Sequence, residues 1–180
     1  MIYFWSDFHL WHAKILQYDK ERWRLFDNIE EHDAFIIQRI NDIVWEDDVL
    51  YMLWDIALTS KTRAAELLSQ IKCKNMHWVL GNHDGKVGDK DKHAMGRLFL
   101  SVEHKIELEI EWRKILLIHY PPVDENGNRK YHPEKYDIVI HGHTHKSNWH
   151  ANWNTIDISY NGGKLIWDLQ EIIWKTCGHS

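Results

Sequence analysis

The chain's 180 residues make one ordinary domain, and a hydrophobic content of 44% is enough to bury a core unaided. Its formal charge of -5 is spread over interspersed acidic and basic residues, which argues against a broad electrostatic footprint for nucleic acid. Cys73 and Cys177 are too few for a disulfide framework, the N-terminus lacks a basic region and a long apolar run, and no segment approaches the roughly 20 apolar residues of a membrane span. The expectation is a single cytoplasmic domain over 1–180, with no membrane partner.

In chain order, Ile2 to Trp5 is an apolar run that reads as a buried strand, followed at once by Ser6-Asp7-Phe8-His9. Asn28 to Ile40 follows with helical spacing and acidic residues in its first turn. Val49 to Leu53 is a second strand, ending in Trp54-Asp55, and Lys61 to Ile71 a second helix capped by Thr59 or Ser60. Met76 to Leu80 leads into Gly81-Asn82-His83-Asp84. Val102 to Ile110 alternates and turns through Glu111 to Lys114 into Ile115 to Ile118, the pattern of an antiparallel hairpin, ahead of His119-Tyr120-Pro121. Ile138 to Ile140 precedes His141-Gly142-His143-Thr144-His145, and both Asn154 to Ile158 and Lys164 to Trp174 read as strand-rich. The sum is an α/β fold, a layered sandwich with mixed β-sheets flanked by helices, in which ligands collect at the carboxyl ends of the central strands.

All five polar clusters sit at such ends, and 14 histidines make metal ligation the first chemistry to consider. Asp7 and His9 are two apart, a spacing that puts both side chains on one face of a strand and within reach of one ion. Alone, Asp-x-His is equally well a capping Asp beside a satisfied His. Gly81 allows a tight turn where a strand ends. After it, Asn82 offers an oxygen ligand, His83 a proton, and Asp84 an acceptor that fixes the His83 tautomer. A purely structural polar turn is the bland alternative. His143 and His145 repeat the two-residue spacing, and His119 holds the corresponding place after the fourth strand.

In that order, Asp-x-His, Gly-Asn-His-Asp, a lone His after a strand and Gly-His-x-His resemble the calcineurin-like metallophosphoesterase family, with an opening like that of its small bacterial and phage members. The match runs from Asp7 to His145. The resemblance implies that Asp7, His9 and His145 hold a first metal, Asn82, His119 and His143 a second, and that Asp55 bridges them. Two divalent ions are implied, with manganese the first expectation and iron, zinc or nickel suited to the same carboxylate, amide and imidazole donors. The implied reaction is hydrolysis of a phosphate ester by a hydroxide held between ions about 3.5–4 Å apart, with His83 either protonating the leaving oxygen or stabilising charge in the transition state.

One position departs from the family, which usually has Gly before the bridging Asp where this chain has Trp54. Trp54 either packs on the sheet or faces a flat part of the substrate. His12 is a candidate phosphate contact through the resemblance. Arg22, Arg24, Lys86 and Arg97 are candidate phosphate clamps only by closeness in sequence, and Trp149, His150 and Trp153 are candidates to flank the cleft. With little chain available for a cap, a phosphodiester is preferred over a monoester. The expected partner is a small phosphate ester, a nucleotide or a nucleic-acid end, and no protein partner is inferable. The competing reading is a metal-binding protein of weakened catalysis that binds a nucleotide or a protein.

Overall fold

Apolar runs, together with the alternating segment Lys105–Ile110, become strands of two sheets. The structure is a computed structural model and describes residues 1–53, 55–81, 84, 94–123, 131–145, 154–160 and 163–177. Of the residues singled out above, Trp54, Asn82, His83, Lys86, Trp149, His150 and Trp153 lie outside the described residues. The strands are β1 (Ile2–Ser6), β2 (Val49–Leu53), β3 (Asn75–Val79), β4 (Ser101–Glu103), β5 (Lys105–Ile110), β6 (Arg113–Ile118), β7 (Ile138–His141), β8 (Thr155–Asp157) and β9 (Trp167–Asp168). One sheet has the order β4-β3-β2-β1-β9 and the other β5-β6-β7-β8. Within the first, β1 to β4 are parallel and β9 antiparallel; within the second, β6, β7 and β8 are parallel and β5 antiparallel.

Alternation along each strand divides the apolar residues into layers. Phe4, Tyr51, Leu53 and Val79 face Ile115, Leu117, Ile138, Ile140 and Ile156 of the second sheet, forming the core between the sheets. Trp5, Leu50, Met52 and Trp78 point to the other side of the first sheet. There they pack on Ile36, Ile37 and Ile40 of α3 (Ile29–Ile43) and on Ala64, Leu67 and Leu68 of α4 (Lys61–Leu68). Asn28 caps α3 by accepting from Glu31 N at 2.9 Å, and Ser60 caps α4 by accepting from Arg63 N at 3.2 Å. The expected layered α/β sandwich is the observed fold. Tyr131 and Tyr136 cover Leu116, Ile118 and Val139 on the outer face of the second sheet. No helix among the described residues is long and apolar enough to cross a membrane.

Two local expectations need correction. Lys164 to Trp174 is not strand-rich: only Trp167 and Asp168 pair with β1, and Leu169–Cys177 is helix α5. Asp168 accepts from Glu171 N at 2.9 Å, an N-cap that turns the chain helical, and Leu169 and Ile172 then face the core at helical spacing. Val102 to Ile110 is not one arm of a hairpin, because Ser101–Glu103 joins β3 in parallel and only Lys105–Ile110 pairs with β6. Between β1 and α3 the chain also forms two short helices, α1 (Ile15–Tyr18) and α2 (Lys20–Leu25), too brief to leave a periodic signal.

Candidate metal centre

The parallel strands end on the same side, so the loops after β1 and β2 run together. His9 N donates to Asp55 O and Leu10 N to Ile56 O, both at 2.9 Å, and Leu58 N donates back to Leu10 O at 3.0 Å. This short ladder sets Asp7 and His9 beside Asp55. In the second sheet, Gly142 N donates to His119 O at 3.3 Å and ties the loop after β7 to the loop after β6. His143 N donates to Asp7 Oδ2 at 3.2 Å and Tyr160 N to Ser6 O at 3.3 Å, joining the two sheets at their ends.

Two groups of candidate ligands result. One ligand atom each from Asp7, His9 and His145 lies within 4.8 Å of the others. The Nε2 atoms of His9 and His145 are 3.2 Å apart, with His145 Nε2 3.9 Å from Asp7 Oδ1 and His9 Nε2 3.9 Å from Asp55 Oδ2. In the second group, His143 Nδ1 is 3.1 Å from His119 Nε2. His143 and His145 thus serve different groups, and Asp55 lies beside the first.

These side chains do not converge by strand alternation. Asp7, His9, Asp55, His143 and His145 all have left-handed backbone, with φ of 57°, 53°, 40°, 74° and 51°. Asp and His enter this region more readily than most residues, yet each such residue costs on the order of 1 kcal/mol. The loops hold it through buried polar groups drawn from elsewhere in the chain. Arg22, fully buried, donates from Nη2 to Asp7 O at 2.6 Å and to Tyr160 O, and from Nη1 to Phe8 O at 2.8 Å. Its Nε donates to Asp19 Oδ2 at 3.0 Å, so Arg22 is a brace of the loop and not the phosphate clamp its position suggested. Asp33 accepts from Trp11 N at 2.9 Å, where φ is 61°. Asp157 accepts from the Thr144 hydroxyl, between the two histidines, and from Ser159 N at 2.8 Å.

Asp84 is nearly fully buried, and its Oδ2 accepts from Gly81 N at 2.7 Å, Asp55 N at 3.1 Å and Trp78 Nε1 at 3.2 Å. Lys61 Nζ donates to Asp84 O at 2.6 Å. Asp84 therefore fixes the Asp55 backbone as well as the turn after β3. Of the other clamp candidates, Arg24 is exposed and paired with Glu21 at 3.1 Å, and Arg97 is exposed. His12 is half-buried, with its ring 5.8 Å from that of His9. Sequence reading missed Arg22 as a brace, and it missed Asp33 and Asp157. Only Asp157 carried a usable signal, being a carboxylate at a strand's carboxyl end.

The electrostatics favour a cation. Burial pushes the Asp7 carboxyl up to about 7, partly offset by its hydrogen bonds from the Ser6 hydroxyl and His143 N. Burial also lowers His145 to about 4, which keeps the imidazole neutral with a lone pair available. Asp7 Oδ1 is buried and has no hydrogen-bond partner among the described residues. A buried acceptor left over beside two converging imidazole nitrogens fits a divalent ion better than it fits a closed hydrogen-bond network.

Residues 1–168 match the calcineurin-like phosphoesterase superfamily domain. The chain belongs to that superfamily. Its members are metal-dependent phosphoesterases, so metal-dependent hydrolysis of phosphate esters is the class of chemistry. The chain is 28% identical over 162 residues to the Gene 66 protein of Mycobacterium phage L5, covering 79% of this chain and 76% of that protein. It is 31% identical over 146 residues to an uncharacterized protein of Methanocaldococcus jannaschii, covering 80% and 69%. Among solved structures, a protein of unknown function from Aquifex aeolicus is similar with a TM-score of 0.63 at 25% identity, over 82% of this chain and 81% of that one. A novel archaeal phosphodiesterase is similar with a TM-score of 0.51 at 18% identity over 94% of each chain, a likeness of fold.

Proposed function

We propose that the chain hydrolyses phosphodiesters or nucleotides at a centre of two divalent ions, manganese first among them. The observation that carries this reading is the meeting of Asp7, His9 and Asp55 from one sheet with His119, His143 and His145 from the other, in two adjacent groups. Asp7, His9 and His145 would hold the first ion and His119, His143 and Asn82 the second, with Asp55 available to both. Divalent ions there supply neutralisation of phosphoryl charge and a water of lowered pKa. His83 gives its proton to the leaving oxygen. Asp84 keeps that imidazole oriented, a role supported by its Oδ1, buried with no partner among the described residues. His12 binds the phosphoryl group, and Trp54 borders the substrate. The preference for diesters is supported by the open surface beside His9 and His145, where a second ester substituent has room. Cytoplasmic placement rests on the low cysteine content, with Cys73 buried as a free thiol.

The test is hydrolysis of bis-p-nitrophenyl phosphate and p-nitrophenyl phosphate by protein stripped of metal and then supplied with Mn. The expected result is turnover restored by Mn, faster on the diester, and reduced at least about a hundredfold in Asp55→Ala. Mn binding without turnover would instead favour a binding protein, and full activity of Asp55→Ala would overturn the assignment of that carboxylate.

A further inference from the structure

Beside the first ligand group lies a cleft of about 560 Å³ whose inner wall is His9 and His145. Its outer wall comes from the chain just after β1: His12, Ile15, Tyr18, Asp19, Lys20 and Glu21. A phosphoryl group at His9 and His145 has room to direct one of its substituents into this space. The volume lies in the range of small-molecule sites and would be left mostly empty by a methyl group.

The chemistry of the outer wall selects what fills it. Tyr18 is 71% exposed at the end of α1, its ring 6.4 Å from that of His12, with Ile15 buried beside it. Two rings around an aliphatic floor offer surface for a flat, apolar group. The charges offer little to a second anion: Lys20 is the one cation lining the cleft among the described residues, next in sequence to Asp19 and Glu21, whose carboxylates pair with Arg22 and Arg24. The neighbouring guanidinium groups are turned to other work, Arg22 into the buried loop brace and Arg24 onto Glu21. An oligonucleotide or polyphosphate would find a single ammonium, that of Lys20, for its next phosphate along this wall.

We infer that this cleft takes the flat, uncharged substituent of the substrate, a nucleoside in preference to a further phosphate. This rests on the phosphoesterase reading above and narrows it to diesters and nucleotides that carry a single nucleoside, away from nucleic-acid strands. Tyr18 is the specificity residue through stacking, and His12 stands at the boundary between the nucleoside and the phosphoryl group.

The test is calorimetric titration of Mn-loaded protein with adenosine 5′-monophosphate, methyl phosphate and adenosine 3′,5′-bisphosphate. Stacking predicts that the monophosphate binds roughly tenfold or more tighter than methyl phosphate, and that the bisphosphate binds no tighter than the monophosphate. Tyr18→Ala, at an exposed position, should keep the native circular dichroism and lose that tenfold preference. Equal binding of monophosphate and methyl phosphate, including failure of both to bind, would overturn the inference. So would a bisphosphate tenfold tighter than the monophosphate, or equal weakening of all ligands in Tyr18→Ala. Mn-dependent turnover of bis-p-nitrophenyl phosphate on the same preparation separates the two readings. Turnover without a nucleoside preference sinks the cleft alone, whereas a Tyr18-dependent preference without turnover sinks the phosphoesterase and leaves the cleft.

Discussion

Arg22 serves three carbonyls and a carboxylate from one guanidinium, and a Lys cannot reproduce that planar fork. Arg22→Lys is therefore expected to lose about 3 kcal/mol of stability in urea unfolding, within the range for a broken buried charge network. Because Asp7 and Phe8 would lose their brace, Mn affinity should fall by at least roughly tenfold in the fraction that remains folded. Asp7 shows the opposite balance. In metal-free protein burial raises its pKa to about 7, above the unfolded value. The sign follows: its favourable contribution is complete below the unfolded pKa and is lost as pH rises through about 7. Asp7→Asn removes the ionisation, and metal-free Asp7→Asn should be more stable than the metal-free parent at pH 8 by an amount on the order of 4 kcal/mol. That advantage should shrink as pH falls toward 5, read by urea midpoints at each pH, while Mn binding is lost at both. Asp7 was legible in the sequence because its residue type, place after an apolar run and order among the other motifs all agreed. Arg22 was not, because its partners Asp7, Phe8 and Tyr160 lie 15, 14 and 138 residues away and no local pattern records such contacts.

Elements were legible where one physical cause dominates. β1, β2, β6 and β7 are buried on both faces, so their sequences are plain apolar runs, and α3 and α4 announce themselves by periodicity and caps. α5 was missed because Leu165, Ile166 and Trp167 beside Ile172 and Ile173 read as strand, although Asp168 and Glu171 have the spacing of a capping box. The β5–β6 turn offers a direct test of local strain. Glu111 and Trp112 form a two-residue connection with φ of 50° and 65°, the conformation for which Asn-Gly is best suited. Trp112 is 96% exposed, so removing its indole forfeits little packing. Replacing the pair by Asn-Gly (Glu111→Asn with Trp112→Gly) should raise stability by about 1–2 kcal/mol in thermal unfolding. Hydrolysis rates should stay unchanged, since the turn lies at the opposite end of β6 from His119.

At the scale of the whole molecule, the candidate ligands come from the ends of both sheets, whose other contact is the shared apolar core between them. Ions held by Asp7, His9 and Asp55 on one side and by His119, His143 and His145 on the other would cross-link the two layers at their open end. Any ligand that binds only the folded chain stabilises it by mass action, about 2.7 kcal/mol at a hundredfold excess over Kd. For a chain of this size that corresponds to a rise in Tm of roughly 5–10 °C on adding Mn to stripped protein. Amide exchange distinguishes a cross-link from a one-sided site. The amides of His9 and Leu10 pair with the loop after β2, while those of Gly142 and Ile158 pair with His119 and with His141 at the end of β7 in the second sheet. Mn bound across the sheets should slow exchange at all four, because opening either loop would release the ions. His119→Ala should weaken that protection on both sheets. Slowing confined to His9 and Leu10 would mean that the first sheet holds its metal alone, and would count against the two-ion centre.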